Sequence, residues 1–244
     1  MFFKMLLENN RALWYSFLMR FKMICCLQRS FDMVINFLGD SITCGVGASS
    51  KETCYVSLVG KKLGCVVNNF GVSGSRIARQ SRVSDMAMWD EDFNIRIWRM
   101  GEADLVFVFG GTNDYGHGDA ELGSFGDTGI FTFCGAFDTL LRQLIKKYGK
   151  EKLCYILPLP RYNQSGITDH SLILKKDPRP LSEYIEAERR ILTEYGIDYI
   201  DMTEDFPEPD TKEPSEFFVD GLHPNDKGYE KIADRVCEYI SSRK

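Results

Sequence analysis

The stretch Val34-Ile35-Asn36-Phe37-Leu38-Gly39-Asp40-Ser41-Ile42-Thr43 contains the change in composition that decides the fold. A run of apolar, β-forming residues gives way abruptly to Gly39, Asp40 and Ser41. Such a run predicts a buried strand, and the polar residues after it place a serine hydroxyl at the strand's carboxyl end. Ser41 is therefore the first candidate for a functional residue.

Predicted strands and helices alternate along the chain from this stretch onward. The strands are predicted at residues 33–38, 65–69, 105–109, 152–157 and 198–201, and the helices at 54–63, 131–148, 181–195 and 226–241. This alternation predicts an α/β fold with a parallel sheet of about five strands and helices on both faces. In such sheets function collects at the carboxyl ends of the strands. Two irregular stretches, 110–130 and 158–180, are expected to rim that edge.

Length and composition limit the classes of function. The chain has 244 residues, which suits one α/β domain, and its net charge of −5 gives no reason to expect nucleic acid as a partner. Its eight cysteines include no C-x-x-C pair, so we expect buried free thiols, Cys44 among them, instead of disulfides or a zinc site. Free thiols are typical of a reducing compartment, which predicts a cytoplasmic protein.

Residues 1–32 form a basic, apolar extension ahead of a single predicted domain at residues 33–244. Its first thirty residues carry five basic residues and one acid, namely Lys4, Arg11, Arg20, Lys22, Arg29 and Glu8. Its longest uncharged stretch, residues 12–19, is too short to span a bilayer, and no site for signal cleavage follows. Three interpretations stay open: an amphipathic helix that contacts a membrane or partner, a helix packed on the domain, or a non-native extension with translation starting at Met23 or Met33.

An acid and a histidine near the end of the chain could activate a serine. His223 follows Asp220 by three residues, and the last predicted helix begins directly afterwards. In serine esterases a histidine takes the hydroxyl proton and a carboxylate orients the imidazole ring. A surface carboxylate beside a helix-capping turn explains the same spacing equally well. The other two histidines, His117 and His170, are expected to be exposed loop residues.

Two glycine-bearing segments could supply donors to an oxyanion. Asn69-Phe70-Gly71-Val72-Ser73-Gly74-Ser75 follows the second predicted strand, and Gly110-Gly111-Thr112-Asn113-Asp114 follows the third. A glycine N–H and an asparagine amide can both donate there, although a glycine turn and a helix cap are the plain alternatives. We expect Asp40 and Asp114, which adjoin these positions, to hydrogen-bond backbone groups and fix the two loops.

Taken in order, four motifs resemble the blocks of the SGNH, or GDSL, hydrolase family. They are Gly39-Asp40-Ser41, Gly74 in an Asn-x-x-x-x-Gly setting, Gly111-Thr112-Asn113-Asp114 and Asp220-Gly221-Leu222-His223. The resemblance runs from about residue 33 to the C-terminus. It implies a flavodoxin-like, three-layer α/β/α sandwich and acyl transfer by a serine, with no metal and no organic cofactor.

The resemblance also implies a role for each matching residue. Ser41 would be the nucleophile, His223 the base and then the acid, and Asp220 the group that orients His223. The oxyanion hole would consist of the Ser41 N–H, the Gly74 N–H and the Asn113 side chain. Gly71 stays open as an alternative to Gly74.

Two further stretches bear on the substrate. Residues 127–137 and 157–163 are similar to a bacterial branch of the family that includes carbohydrate O-acetylesterases, and the loop with Arg161, Tyr162, Asn163 and Gln164 suits a sugar. We therefore expect a small-molecule ester as partner, with removal of an acetyl or other short acyl group from a carbohydrate or similar polar compound. The alternatives are lysophospholipase, thioesterase or arylesterase activity on longer acyl chains, and a non-catalytic carbohydrate-binding module of the same fold.

Overall fold

The computed structural model describes residues 33–166 and 179–243, which form a layered α/β structure. The five strands of its sheet are β1 (Val34–Gly39), β2 (Val66–Gly71), β3 (Leu105–Phe109), β4 (Leu153–Ile156) and β5 (Asp198–Ile200). All neighbouring strands pair in parallel, in the order β2-β1-β3-β4-β5. This is the flavodoxin-like order, so the predicted fold class is confirmed. The extension 1–32, His170 and most of the 158–180 loop lie outside the described residues.

Helices connect and follow the strands. They are α1 (Ser41–Cys44), α2 (Tyr55–Leu63), α3 (Phe93–Arg96), α4 (Thr112–His117), α5 (Phe133–Tyr148), α6 (Leu181–Tyr195) and α7 (Asp226–Ser242). Short 3₁₀ turns lie at Lys51–Thr53, Ala87–Asp90, Ile97–Arg99 and Lys150–Lys152. No helix in the described part of the chain is long and apolar enough to cross a membrane.

Alternating side chains of the central strand supply two hydrophobic cores. Val106 and Val108 of β3 point into the core beneath α5 and α6, whereas Phe107 and Phe109 point into the core beneath α2 and α7. All four side chains are buried, which explains the unbroken apolar run of this strand. Each fully buried side chain of this size contributes about 1.5–3 kcal/mol relative to exposure.

The predicted strands and long helices are present, with ends displaced by at most two residues. Helix α5 begins at Phe133, two residues later than predicted, because the Thr132 side chain caps it by accepting the Gly135 N–H. The prediction that residues 110–130 are irregular is wrong in part, since α4 lies there. With six residues and an internal glycine, Gly116, α4 is too short and too poor in helix formers to show a periodic pattern.

The register of the sheet brings three loops together. Gly39, the last residue of β1, is paired with Gly71 of β2 on one side and with Phe109 of β3 on the other. Because these strands end at the same level, the residues that follow them start from one edge of the sheet. The segments 40–44, 72–75 and 110–114 consequently meet at that edge.

Candidate active site

Ser41 is the first residue of α1, directly beyond the end of β1. Asp40 caps this helix, because its Oδ1 accepts the Ile42 N–H at 2.9 Å. The first N–H groups of a helix have no intrahelical acceptor, so the Ser41 N–H stays available to a bound molecule. The sequence therefore folds so that the hydroxyl and the N–H of one residue are presented together.

Ser41, His223 and Asp220 form a continuous hydrogen-bonded chain. Ser41 Oγ lies 2.9 Å from His223 Nε2, and His223 Nδ1 lies 2.7 Å from Asp220 Oδ2. An ionised carboxylate can only accept, so Nδ1 carries the proton and the unprotonated Nε2 accepts the Ser41 hydroxyl. Partial burial acts to raise the pKa of Asp220, but the hydrogen bonds from His223 outweigh it and lower the pKa to about 2. The structure thus brings the three predicted residues together.

The loops that carry Ser41 and His223 are bonded to each other near the start of α7. Asp226, in the first turn of α7, accepts the Ser49 N–H at 2.8 Å and the Thr53 hydroxyl at 2.9 Å. The Asp220 carboxylate also accepts the His223 N–H at 2.7 Å, which closes the turn between the two residues. These contacts hold residues that are 182 positions apart within hydrogen-bonding distance.

The structure distinguishes the two glycines proposed as oxyanion donors. The Gly71 N–H already donates to Asn69 Oδ1 at 2.8 Å, and a Cβ at Gly71 would lie 2.2 Å from the Cys44 nitrogen. Gly71 therefore allows two backbone segments to pack closely. Gly74 has a φ of 75°, and its N–H donates to no group in the described part of the chain. The free N–H favours Gly74 as the donor.

The Asn113 side chain is oriented by the loop after β2. Its Nδ2 donates to the Ser75 carbonyl at 3.0 Å, and because an amide nitrogen has two hydrogens, one stays available. The neighbouring Asp114 accepts the N–H groups of Ile77 and Ala78 at 2.9 and 2.8 Å. Burial raises the pKa of Asp114 to about 7 despite these bonds. Both carboxylates beside the site, Asp40 and Asp114, thus bind backbone groups, as predicted.

Two predictions about side chains near the site are wrong. His117 is half-buried, not exposed, because its ring packs against Trp89 at 4.9 Å between centroids and its Nδ1 lies 3.3 Å from Arg76 Nη1. Burial first, then the charges of Arg76 and Arg161, lower the pKa of His117 to about 4. Cys44 is exposed, not buried, because Ser41, Ile42 and Thr43 occupy the inward side of the single turn of α1.

Trp89 and Arg96 also border the site, although no sequence motif indicated either residue. The Trp89 indole packs against Gly74 so closely that an added Cβ would lie 2.1 Å from its Nε1. Arg96 donates to the Gly39 carbonyl at 2.9 Å. Both residues belong to the long connection between β2 and β3, in which no local pattern marks a functional position. Their contacts arise from the tertiary fold.

Replacing Asp40 by asparagine tests the electrostatics behind Ser41. Burial raises the pKa of Asp40 from 3.8 to about 6, so its protonation contributes stability that is complete below about pH 3.8 and is lost as the pH rises through about 6. Asp40→Asn keeps the capping oxygen but cannot titrate. We expect the difference in the free energy of unfolding, variant minus wild type, to increase between about pH 4 and pH 7, measured by urea denaturation. A difference that is constant with pH would contradict the raised pKa.

The comparisons with known proteins concern the fold and the family. Similar solved structures include a protein from Lactobacillus plantarum (24% identity, 88% of this chain and 99% of that chain, TM-score 0.68), the lipase/acylhydrolase from Enterococcus faecalis (22%, 86% and 96%, 0.58) and an acetyl xylan esterase (22%, 85% and 100%, 0.58). At these identities they show a shared fold. A comparison with curated proteins gives no match. The model of the GDSL-like lipase/acylhydrolase family matches residues 37–231, which include all the candidate site residues, and the chain belongs to this family.

Proposed function

We propose that the protein is a serine esterase that works through an acyl-enzyme. The observation that carries this proposal is the hydrogen-bonded chain from Ser41 Oγ through His223 to Asp220, with distances of 2.9 and 2.7 Å. Membership in a family of acylhydrolases supports the same reaction class. A serine, a base and a carboxylate in this order are the groups that nucleophilic acyl transfer needs.

In the proposed mechanism His223 Nε2 takes the Ser41 proton while Oγ attacks the ester carbonyl. The resulting oxyanion accepts hydrogen bonds from the Ser41 N–H, the Gly74 N–H and the free Nδ2 hydrogen of Asn113. His223 then protonates the departing alcohol, and a water molecule attacks the acyl-enzyme with His223 again as base. Asp220 stabilises the imidazolium in both steps. These groups supply the nucleophile, the proton transfers and the oxyanion donors, so the mechanism uses no metal and no organic cofactor.

The substrate we propose is a short-chain ester, acetyl first, of a carbohydrate or similar polar compound. Residues 127–137 and 157–163 resemble a bacterial branch of the family that includes carbohydrate O-acetylesterases, which favours this choice, and an acetyl xylan esterase shares the fold. Polar groups also adjoin the site on the His223 side. The Tyr162 N–H donates to Gly221 at 2.8 Å, and Arg161 donates to the Thr112 carbonyl at 2.9 Å.

Longer acyl chains are the second candidate, and a different feature favours them. Val83, Met86 and Met88, on the segment that leads to Trp89, are 88%, 50% and 44% exposed. Apolar side chains exposed together beside a site are typical of surfaces that bind apolar molecules. The group lies within six residues of Trp89 in the chain, and the Trp89 indole packs against Gly74 of the proposed oxyanion hole.

Covalent labelling tests the proposed nucleophile. A fluorophosphonate probe should label the wild-type protein at Ser41, because its phosphorus is attacked by an activated serine as an ester carbonyl is. Ser41→Ala should abolish labelling, whereas Ser124→Ala, which changes an exposed serine in the loop before α5, should not. Mass spectrometry of the labelled peptide identifies the site. A wild-type protein that binds sugars but resists the probe would be a carbohydrate-binding module, not an esterase.

The oxyanion role of Asn113 predicts a kinetic defect without a folding defect. Loss of one oxyanion donor typically costs about 2.7–4 kcal/mol in the barrier, so Asn113→Ala should lower kcat about a hundred- to a thousand-fold. Steady-state hydrolysis of 4-nitrophenyl acetate gives kcat, and circular dichroism checks the fold. An unchanged kcat would remove Asn113 from the mechanism.

A series of 4-nitrophenyl esters separates the two substrate classes. If the acyl site is short, kcat/KM should be highest for acetate and fall steadily with chain length. An optimum at C8 or longer would instead favour the second candidate, and Met86→Ser together with Met88→Ser should then lower the rate on the long esters alone.

A further inference from the structure

Arg96 is a buried cation behind the proposed oxyanion hole. It ends α3, its side chain packs over the Phe93 ring at 4.5 Å, and the residue is 2% exposed. Burial lowers the pKa of Arg96 to about 10, against the opposing charge of Asp40, so the guanidinium is still charged at neutral pH. It forms no ion pair with any described residue. Burying a charge in this way is costly, so its hydrogen bonds must offset the loss of water.

The Arg96 guanidinium binds the ends of β1 and β2 and the loop that follows β2. Nη1 donates to the Gly39 carbonyl at 2.9 Å and to the Phe70 carbonyl at 2.5 Å, while Nη2 donates to Ser75 Oγ at 2.8 Å. Nε donates to the Glu91 carbonyl at 3.0 Å, which holds the side chain in place. A planar guanidinium can make these contacts simultaneously because its donors point in fixed directions.

Two of these contacts, those with Gly39 and Ser75, lead to the proposed oxyanion donors. Gly39 lies two residues before Ser41, and Ser75 directly follows Gly74. The Ser75 carbonyl accepts the Asn113 side chain at 3.0 Å. Through Gly39, Arg96 is connected to Ser41. Through Ser75, it is connected to both Gly74 and Asn113.

We propose that Arg96 is a positioning residue that holds the three oxyanion donors in their relative places. It touches neither the substrate nor the reacting atoms and acts through Gly39 and Ser75. This inference rests on the proposed esterase function. Since a displacement of about 1 Å in a reacting geometry can cost about a hundred-fold in rate, loosening these donors should affect the transition state more than substrate binding.

Arg96→Lys tests the proposal, because lysine keeps the charge but cannot span the same acceptors. For 4-nitrophenyl acetate we expect kcat to fall by about ten- to a hundred-fold while KM changes by less than about threefold. Ser75→Ala, which removes one of the acceptors, should lower kcat by a smaller factor. Arg99→Lys is the matched control, because Arg99 is an exposed arginine of the next short turn and is bonded to Glu91, and its kcat should stay at the wild-type value.

A double-mutant cycle with Asn113→Ala separates positioning from general destabilisation. If Arg96 acts through Asn113, Arg96→Lys should have a weaker effect once the Asn113 side chain is removed. We expect the fold decrease in kcat caused by Arg96→Lys to be at least about threefold smaller in the Asn113→Ala background than in the wild type. Equal factors in the two backgrounds would overturn the proposal, as would a loss expressed in KM alone.

Hydrogen exchange gives a readout that does not depend on turnover. In Arg96→Lys, peptides covering residues 70–76 should exchange faster than in the wild type, while peptides from α7 should not change. Unchanged exchange at 70–76 would overturn the positioning role. A wild-type protein that lacks esterase activity and fluorophosphonate labelling would refute the proposed function itself, whatever the exchange result.

Discussion

The parallel pairing of β1 with both of its neighbours is the constraint on which the site depends. Gly39 pairs with Gly71 and with Phe109, so three strands end at one level and deliver their loops to one place. A one-residue slip in either pairing would turn the side chains of a strand to the opposite face. The two apolar cores oppose such a slip, because Phe107 and Val108 are each buried on their own side. The stability of the cores and the geometry of the site thus share one cause.

Polar groups buried at the edge of the sheet convert this arrangement of strands into a rigid site. Asp40 caps α1, Asp114 binds two backbone N–H groups, and Arg96 binds two strand ends. Their burial carries a cost, which appears as the raised pKa values of the two carboxyl groups and the lowered pKa of the arginine. Such costs are typical of functional sites, where polar groups must be held in a fixed geometry. The core alone would not need them.

Two groups of side chains with different chemistry surround the site. On the Gly74 side lie Trp89 and the half-buried His117, whose low pKa keeps the imidazole neutral. Because Arg76 can only donate, His117 Nδ1 is an acceptor and the proton is on Nε2. Arg161 and Tyr162, in turn, connect α4 to the loop that carries Asp220. The surroundings of the site therefore combine aromatic side chains next to Gly74 with polar groups next to Asp220.

The sequence by itself determined the fold class and the order in which polar motifs follow the strands, because apolar runs and the polar residues that end them are local signals. Its four motifs also indicated Ser41, Asn113, Asp220 and His223 through their resemblance to a family. Only the tertiary structure decided between Gly74 and Gly71, since that choice depends on which N–H already has a partner. The contacts of Arg96 and the burial of His117 likewise depend on side chains that meet across the fold. The exposure of Cys44 depends on which side of a single helical turn faces solvent. Tertiary contacts and the orientation of so short a helix produce no periodic pattern in the sequence.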